Sequence, residues 1–132
     1  MIIGTGIDLV DSRRIQKLLD THGERFLNKY FTPHEIEHVQ SLTEANQSLS
    51  LAKRFAAKEA CAKALGCGFR DGIAMIQMEV GNNDQGKPIM TLSGNALDFL
   101  NTLIPDNKTA ALHLSLTDEP PYAQAQLLIE AI

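Results

Sequence analysis

The hydrophobic period of this sequence changes near Gly66, and that change constrains the fold more than any other feature. Before it, apolar residues recur at helical spacing in an alanine-rich stretch, which predicts a long helix over residues 48–65 that ends at Gly66. After it, apolar and polar residues alternate over residues 74–80, which predicts a half-buried strand. We therefore predict an α+β fold with a mostly antiparallel sheet packed against helices, including one long central helix.

Shorter elements are predicted on both sides of this helix. They are a buried strand over 2–7 that ends at Asp8, a helix capped by Asp11 or Ser12 that stops at Gly23, a short helix over 24–31, a helix capped by Thr32 that runs to about Leu42, a strand over 89–92, a helix capped by Ser93 that buries Leu97, Leu100 and Leu103 or Ile104, and strands over 109–117 and 122–131. No repeat or linker interrupts the pattern, so we expect a single domain over residues 1–132.

Composition restricts the class of protein. Hydrophobic residues make up 44% and charged residues 21%, a globular balance, and no apolar run approaches the roughly 20 residues of a membrane span. No basic segment precedes the apolar start, and only two cysteines are present, so we expect a cytoplasmic protein with reduced thiols. Tryptophan is absent and aromatics are 5%, which argues against nucleic-acid binding.

The charges are distributed unevenly along the chain. The net charge is −4, yet residues 1–63 hold nine basic and eight acidic residues while residues 64–132 hold three and eight. The first predicted helices carry the basic side chains Arg13, Arg14, Lys17, Arg25 and Lys29. They form either a solvated helix face or a surface for an acidic protein partner.

Two carboxylates stand out as candidate functional groups. Glu59 falls about 40° from Phe55, inside the apolar arc of the long helix, and therefore requires a positive partner. That partner is either Lys63, one turn further on, or a divalent cation. Asp8 follows the first strand, and together with Glu59 it would offer Mg²⁺ two oxygen ligands; Asp11 or Asp118 would serve equally on this reasoning.

Hydrogen-bonding side chains share one face of a later predicted strand. Leu112, Leu114 and Leu116 take one face, which leaves His113, Ser115 and Thr117 on the other. This polar face could bind phosphate or sugar oxygens, or it could be an ordinary solvated face. No ligand spacing supports zinc, and Gly4-Thr5-Gly6 is too short for a nucleotide-binding loop.

Four short motifs together resemble one enzyme family. Gly6-Ile7-Asp8-Leu9-Val10 followed by Arg14-Ile15 is similar to the N-terminal motif of holo-(acyl-carrier-protein) synthases, and residues 54–66, with Lys58-Glu59 and Lys63, resemble the helix motif of 4′-phosphopantetheinyl transferases. Gly86-Lys87-Pro88 and the strand from His113 to Thr117 match as well. The resemblance spans almost the whole chain and implies the 4′-phosphopantetheinyl transferase fold.

The resemblance also implies a reaction, in which the 4′-phosphopantetheine of coenzyme A passes to a serine of apo acyl carrier protein and adenosine 3′,5′-bisphosphate is released. Asp8 and Glu59 would hold Mg²⁺, for which Mn²⁺ could substitute, against the pyrophosphate. Glu59, or a water that it orients, would accept the serine proton. Lys58 and Lys63 would stabilise phosphate charge.

Binding roles follow by the same resemblance. The expected coenzyme A contacts are Arg54, Lys58, Lys63, Gly66, Pro88, His113 and Ser115, with Arg54 and His113 at the 3′-phosphate. The family is homotrimeric with sites between subunits, and Arg14 and Arg25, with Arg13, Lys17 and Lys29 around them, would dock the acidic carrier protein. Asp118 stands where some relatives have histidine, so the resemblance gives it no role. The alternatives are a non-catalytic oligomeric module that binds an acidic partner and a metal-dependent phosphohydrolase.

Overall fold

Five strands and five α-helices follow one another along residues 1–132, all of which the computed structural model describes. They are β1 (Ile2–Asp11), α1 (Ser12–His22), α2 (Glu24–Tyr30), α3 (Pro33–Gln40), α4 (Glu44–Leu65), β2 (Met78–Asn82), β3 (Pro88–Leu92), α5 (Gly94–Leu103), β4 (Ala110–Glu119) and β5 (Tyr122–Ala131), with a 3₁₀ helix (Met75–Gln77) before β2. The predicted α+β class and the long helix are confirmed.

The strands form two antiparallel sheets. A three-stranded sheet has the order β1-β5-β4, and β2 pairs with β3 in a separate two-stranded sheet. In the larger sheet Asp8 lies opposite Ala125, while His113 lies opposite Leu128. One face of this sheet packs on α4 and buries Val10 and Leu114, together with alternate residues of β5.

Small residues bring α4 close to β1. The face of the helix that packs on the sheet consists largely of buried alanines, among them Ala60 and Ala64. A Cβ added to Gly4 would overlap the carbonyl oxygen of Ala64, and one added to Gly6 would overlap that of Ala60. Gly4-Thr5-Gly6 is therefore a contact between strand and helix, which fixes the neighbouring Asp8 beside α4.

Several helix ends follow the predicted capping chemistry. Asp11 accepts a hydrogen bond from the Arg13 amide at the start of α1, and Thr32 forms a capping box with Glu35 in α3. Gly66 ends α4 in the left-handed conformation, with φ of 82°.

Other boundaries differ from the prediction. The first strand continues to Asp11, so Asp8 lies within it, and it is an edge strand whose Ile7 and Leu9 are 53% and 62% exposed. The long helix begins four residues early, at Glu44. In these two places pairing with β5 and packing extend the elements beyond their hydrophobic patterns.

Three further corrections concern the second half of the chain. The predicted strand over 74–80 begins only at Met78, because residues 75–77 form the 3₁₀ helix. In α5 Leu97 is exposed while Ala96 and Leu100 are buried. The strand β4 extends to Glu119, two residues beyond the predicted end at residue 117.

None of the helices is both long and apolar enough to cross a membrane.

Candidate active site

Asp8 and Lys63 meet where β1 lies against α4. The ammonium of Lys63 donates to the carbonyl oxygen of Ile7 at 2.9 Å and to Oδ1 of Asp8 at 3.2 Å. The close packing at Gly4 and Gly6 sets this approach, because it fixes the height of β1 along the helix. The strand therefore presents a carboxylate to the same helix that carries Glu59.

Glu59 makes no ion pair and no hydrogen bond, so the predicted Glu59–Lys63 pair is not formed. Partial burial raises the pKa of Glu59, and the negative charge of Asp8 raises it further, whereas Lys63 and Arg14 act in the opposite direction. Lys63 is engaged by Asp8 instead. Two carboxylates thus lie close enough to repel, and only one of them has a cation.

The donor set around Asp8 suits a particular kind of metal ion. No group of three or more histidine, cysteine, aspartate or glutamate side chains is placed to hold an ion by protein ligands alone. Mg²⁺ commonly takes only one or two carboxylates and leaves its other positions to water and phosphate oxygens. Asp8 and Glu59 supply two carboxylates of this kind, of which Glu59 has no cation and Asp8 is contacted by Lys63.

Lys58 corrects an expectation. Its ammonium is fully buried and donates to Oε1 of Glu35 at 2.6 Å and to the carbonyl oxygens of Tyr30 and Met75. All three of its donors are therefore used within the core. Contrary to the sequence-based expectation, Lys58 does not face a phosphate: it ties α4 to α3 and to the 3₁₀ helix.

Arg54 lies at the base of a polar pocket between α3, α4 and β2. Its side chain is buried, with 7% of the residue exposed, and it donates to Oγ of Ser50, whereas its Nε has no partner. The pocket, of about 310 Å³, is lined by His38, Lys53, Arg54 and Asn82 among others. A guanidinium that lines a pocket can attract an anion to it.

His113 and Ser115 lie on the sheet face that points away from α4. Both are exposed, and Nε2 of His113 lies 3.0 Å from Oε1 of Glu130 on β5. The predicted polar face of β4 is confirmed. Within one chain, however, the sheet separates His113 from Arg54, so the two expected 3′-phosphate contacts do not converge.

Two expected backbone contacts occupy edges of the fold. Pro88 begins β3, and Gly66 ends α4 in an exposed position with open space around its Cα. Gly66 follows Lys63 by less than one helical turn, so a ligand at Lys63 can reach its backbone.

A basic groove of about 410 Å³ lies between α1 and α2. Leu18, Phe26, Tyr30 and Phe55 form its apolar floor, and Arg14, His22, Arg25 and Lys29 form its basic wall. The guanidinium of Arg14 lies over the Phe55 ring, 5.5 Å from its centroid. The structure thus brings Arg14 and Arg25 together as predicted.

Arg13 and Lys17 do not line this basic groove. Arg13 forms a two-pronged ion pair with Asp11 and lowers the pKa of that carboxyl group. Lys17 is exposed outside the groove.

The basic groove adjoins a second, mainly apolar pocket that Glu59 lines. Lys29, Tyr30 and Phe55 line both depressions, and the second one adds Glu59 beside the apolar residues Phe69, Ile73 and Met75. The carboxylate therefore lies in the depression next to the basic groove.

Sequence reasoning missed several residues of these surfaces. His22, His38, Lys53 and Asn82 line the groove or the polar pocket without belonging to any motif. His34 and His38 are four residues apart on α3, and this spacing indicates that they share a helix face; both line the neighbouring depression with Arg54. No sequence pattern marked Asn82, because its position in the pocket depends on how β2 packs against α3.

Comparison with known proteins gives consistent matches. Residues 4–122 match the family model described as 4′-phosphopantetheinyl transferase superfamily. The holo-[acyl-carrier-protein] synthase of Phenylobacterium zucineum is 54% identical over 132 residues, which cover 100% of this chain and 94% of that protein.

Two solved structures are similar over nearly their full length. The holo-[acyl-carrier-protein] synthase of Neisseria meningitidis has a TM-score of 0.84 at 34% identity, covering 98% of this chain and 99% of that one. The enzyme of the same name from Bacillus anthracis, in complex with CoA (3′,5′-ADP), has a TM-score of 0.81 at 32% identity and covers 100% and 99%.

Proposed function

The chain belongs to the 4′-phosphopantetheinyl transferase superfamily, and from its full-length similarity to holo-(acyl-carrier-protein) synthases we infer that it is an enzyme of that activity. It transfers 4′-phosphopantetheine from coenzyme A to a serine of apo acyl carrier protein. The serine oxygen forms a bond to the phosphorus that bears pantetheine, and the bond from that phosphorus to adenosine 3′,5′-bisphosphate breaks. The serine proton passes to a base of the enzyme.

Glu59 is the base that this proposal assigns. Its raised pKa makes it a better proton acceptor than an ordinary surface carboxylate, and it lines the pocket next to the groove that contains Arg14. Lys63 is available to phosphate oxygens once it leaves Asp8, since its contacts there are exposed. Asp8 and Glu59 would hold Mg²⁺, which would neutralise the developing charge on the phosphoryl oxygens.

The basic groove is the proposed binding surface for the acyl carrier protein. Its wall of Arg14, His22, Arg25 and Lys29 contrasts with the net charge of −4 of the whole chain. Three of its lining residues, Lys29, Tyr30 and Phe55, also line the pocket that contains Glu59. This adjacency is the single observation that best supports the function, because an acidic carrier protein seated on the groove would hold its serine near the carboxylate.

We propose that the active unit is a homotrimer with sites between subunits. The outer face of the larger sheet carries Ile7, Leu9 and Tyr122, which are all about half exposed or more, and His113 and Ser115 lie on the same face. Packing this face against another copy would cover the apolar side chains. It would also bring His113 of one protomer toward the Arg54 pocket of its partner.

Two coarser expectations remain part of the proposal. We propose that residues 1–132 form one domain, since both sheets and α1 to α5 share one continuous hydrophobic core. We also propose a cytoplasmic location, in keeping with Cys61 and Cys67, which are buried and not disulfide-bonded.

The function is tested by incubating the purified chain with coenzyme A, Mg²⁺ and apo acyl carrier protein and weighing the carrier by mass spectrometry. For wild type we expect the carrier to gain the mass of one phosphopantetheine, and for Glu59→Gln we expect no mass gain. For Arg14→Glu we expect the KM for carrier protein to rise at least tenfold while the KM for coenzyme A stays constant. Absence of any mass gain with Mg²⁺ or Mn²⁺ would refute the transferase function. Breakdown of coenzyme A without carrier protein would indicate a phosphohydrolase instead.

A further inference from the structure

The polar pocket around Arg54 has the composition of an anion site. Its lining includes Arg54, Lys53, His38, Asn82 and Ser50 and no carboxylate, although Glu35 lines the adjoining depression together with Arg54. In a chain with a net charge of −4 this is an uncommon concentration of donors. Arg54 lines the pocket with only 7% of the residue exposed, and the buried Nε of its guanidinium has no hydrogen-bond partner.

Lys53 is held at the edge of this pocket by a single carboxylate. Its Nζ lies 3.0 Å from Oδ2 of Asp118 on β4, and both side chains are about one-third exposed. Asp118 itself does not line the pocket. An ion pair that solvent can reach contributes little to stability, so the pair can open at small cost.

We propose that Lys53 is a specificity-determining residue for the 3′-phosphate of coenzyme A and that Asp118 restrains it until that phosphate binds. This inference rests on the proposed function. A 3′-phosphate monoester bound at Arg54 would carry about two negative charges, more than the one that Asp118 offers, and it would attract the Lys53 ammonium away from that carboxylate. Lys53 then adds affinity only for ligands that bear this phosphate.

The two partners of this ion pair should have opposite effects on binding. Without Lys53 the phosphate loses one cation, so affinity falls. Without the charge of Asp118 the phosphate no longer competes for Lys53, so affinity rises. Charge alone would also shift the two affinities in opposite directions, so the double variant Lys53→Met/Asp118→Asn separates the two causes. If Asp118 acts by restraining Lys53, Asp118→Asn has no effect on affinity once Lys53 is absent.

The experiment measures binding of adenosine 3′,5′-bisphosphate and of adenosine 5′-monophosphate to the full chain by calorimetry, without carrier protein or metal. We expect Lys53→Met to reduce the preference for the bisphosphate about five- to tenfold and Asp118→Asn to increase it about two- to fivefold. Lys108→Met, which removes an exposed positive charge outside the pocket, is the matched control and should leave the preference unchanged.

Each outcome decides the proposal. Opposite shifts in the single variants, together with no effect of Asp118→Asn in the Lys53→Met background, support it. Equal-signed shifts, no shift, equal losses for both nucleotides, or an undiminished effect of Asp118→Asn in the double variant would overturn it. Circular dichroism of each variant identifies a failure to fold, and Lys53→Gln then provides a second substitution that keeps the side chain polar. Wild-type phosphopantetheine transfer is measured in parallel, so that failure of this inference is distinguishable from failure of the proposed function.

Discussion

Glu59 holds a negative charge in a partly buried position where no side chain of the chain neutralises it. Asp8 lies near enough to raise the pKa of Glu59, and Lys63, the cation one turn away, is engaged by Asp8. Functional carboxylates are often kept in such unfavourable surroundings, because a ligand supplies the missing positive charge. The fold therefore stores a small destabilisation at this residue.

That destabilisation gives a prediction for Glu59→Gln. Because the pKa of Glu59 is raised by folding, the folded chain binds the proton more tightly, and stability falls as pH rises from the ordinary glutamate range through the raised pKa. The glutamine side chain does not titrate, so the variant does not lose stability in this way. Its Tm in chelator should exceed that of wild type at pH 7, and the two Tm values should converge near pH 4. Differential scanning calorimetry across pH checks this, and a lower Tm at pH 7 would contradict it.

Glu59 and Lys58 also show how far sequence reasoning extends at this scale. Helical periodicity correctly marked Glu59 as a carboxylate inside an apolar arc. The same periodicity places Lys58 about 20° from Leu51, near the middle of the apolar arc, and Lys63 about 120° from it. It therefore favours burial of Lys58, but it does not identify Glu35 and Asp8 as the partners of the two lysines. These partners lie 23 and 55 residues away, so only the packing of α3 and β1 on α4 determines the pairing.

At the scale of elements, the contact between β1 and α4 positions the site. Glycine at positions 4 and 6 lets the strand approach the helix backbone, and this approach places Asp8 beside Lys63. The sequence contains the two glycines, but their pattern alone resembles a fragment of a phosphate loop. Their role depends on the alanines of α4, which come more than fifty residues later.

The prediction for this contact is that Gly6→Ala destabilises the chain and impairs transfer. The added Cβ would overlap the Ala60 carbonyl, so β1 must move away from α4, at about 1–3 kcal/mol, and Asp8 moves with it. Urea unfolding and initial transfer rates measure the two effects. Gly81→Ala is the control, because a Cβ there meets nothing within 4 Å; equal stability losses in both variants would show that the approach at Gly6 is not tight.

Element boundaries were predictable where local chemistry sets them. The caps at Asp11 and Thr32 and the glycine stop at Gly66 agree with the structure. The extension of β1 past Asp8 did not follow from its sequence, because pairing with β5, which is distant in the chain, sustains it. Local signals end helices, whereas nonlocal hydrogen bonds set the length of a strand.

At the scale of the whole molecule, the larger sheet divides the candidate residues between two faces. Asp8, Glu59, Lys63 and Arg54 lie on the side of α4, whereas His113 and Ser115 lie on the outer face. No movement of side chains within one chain can bring both sets to one ligand, because β5 and β4 stand between them. If His113 and Ser115 bind coenzyme A as we propose, they do so from a second copy of the chain, with its outer sheet face turned toward the first.

Subunit complementation tests this arrangement. We expect Glu59→Gln and His113→Ala to be almost inactive alone at low coenzyme A, but a 1:1 mixture refolded together should recover about one quarter of wild-type activity, since each of the two contributing chains is intact with a chance of about one half. Glu59→Gln mixed with Asp8→Asn should recover nothing, because both residues serve from the same chain. Without recovery in the first mixture, His113 and Glu59 would have to act within one protomer, which the intervening sheet does not permit, and His113 would lose its place in the site.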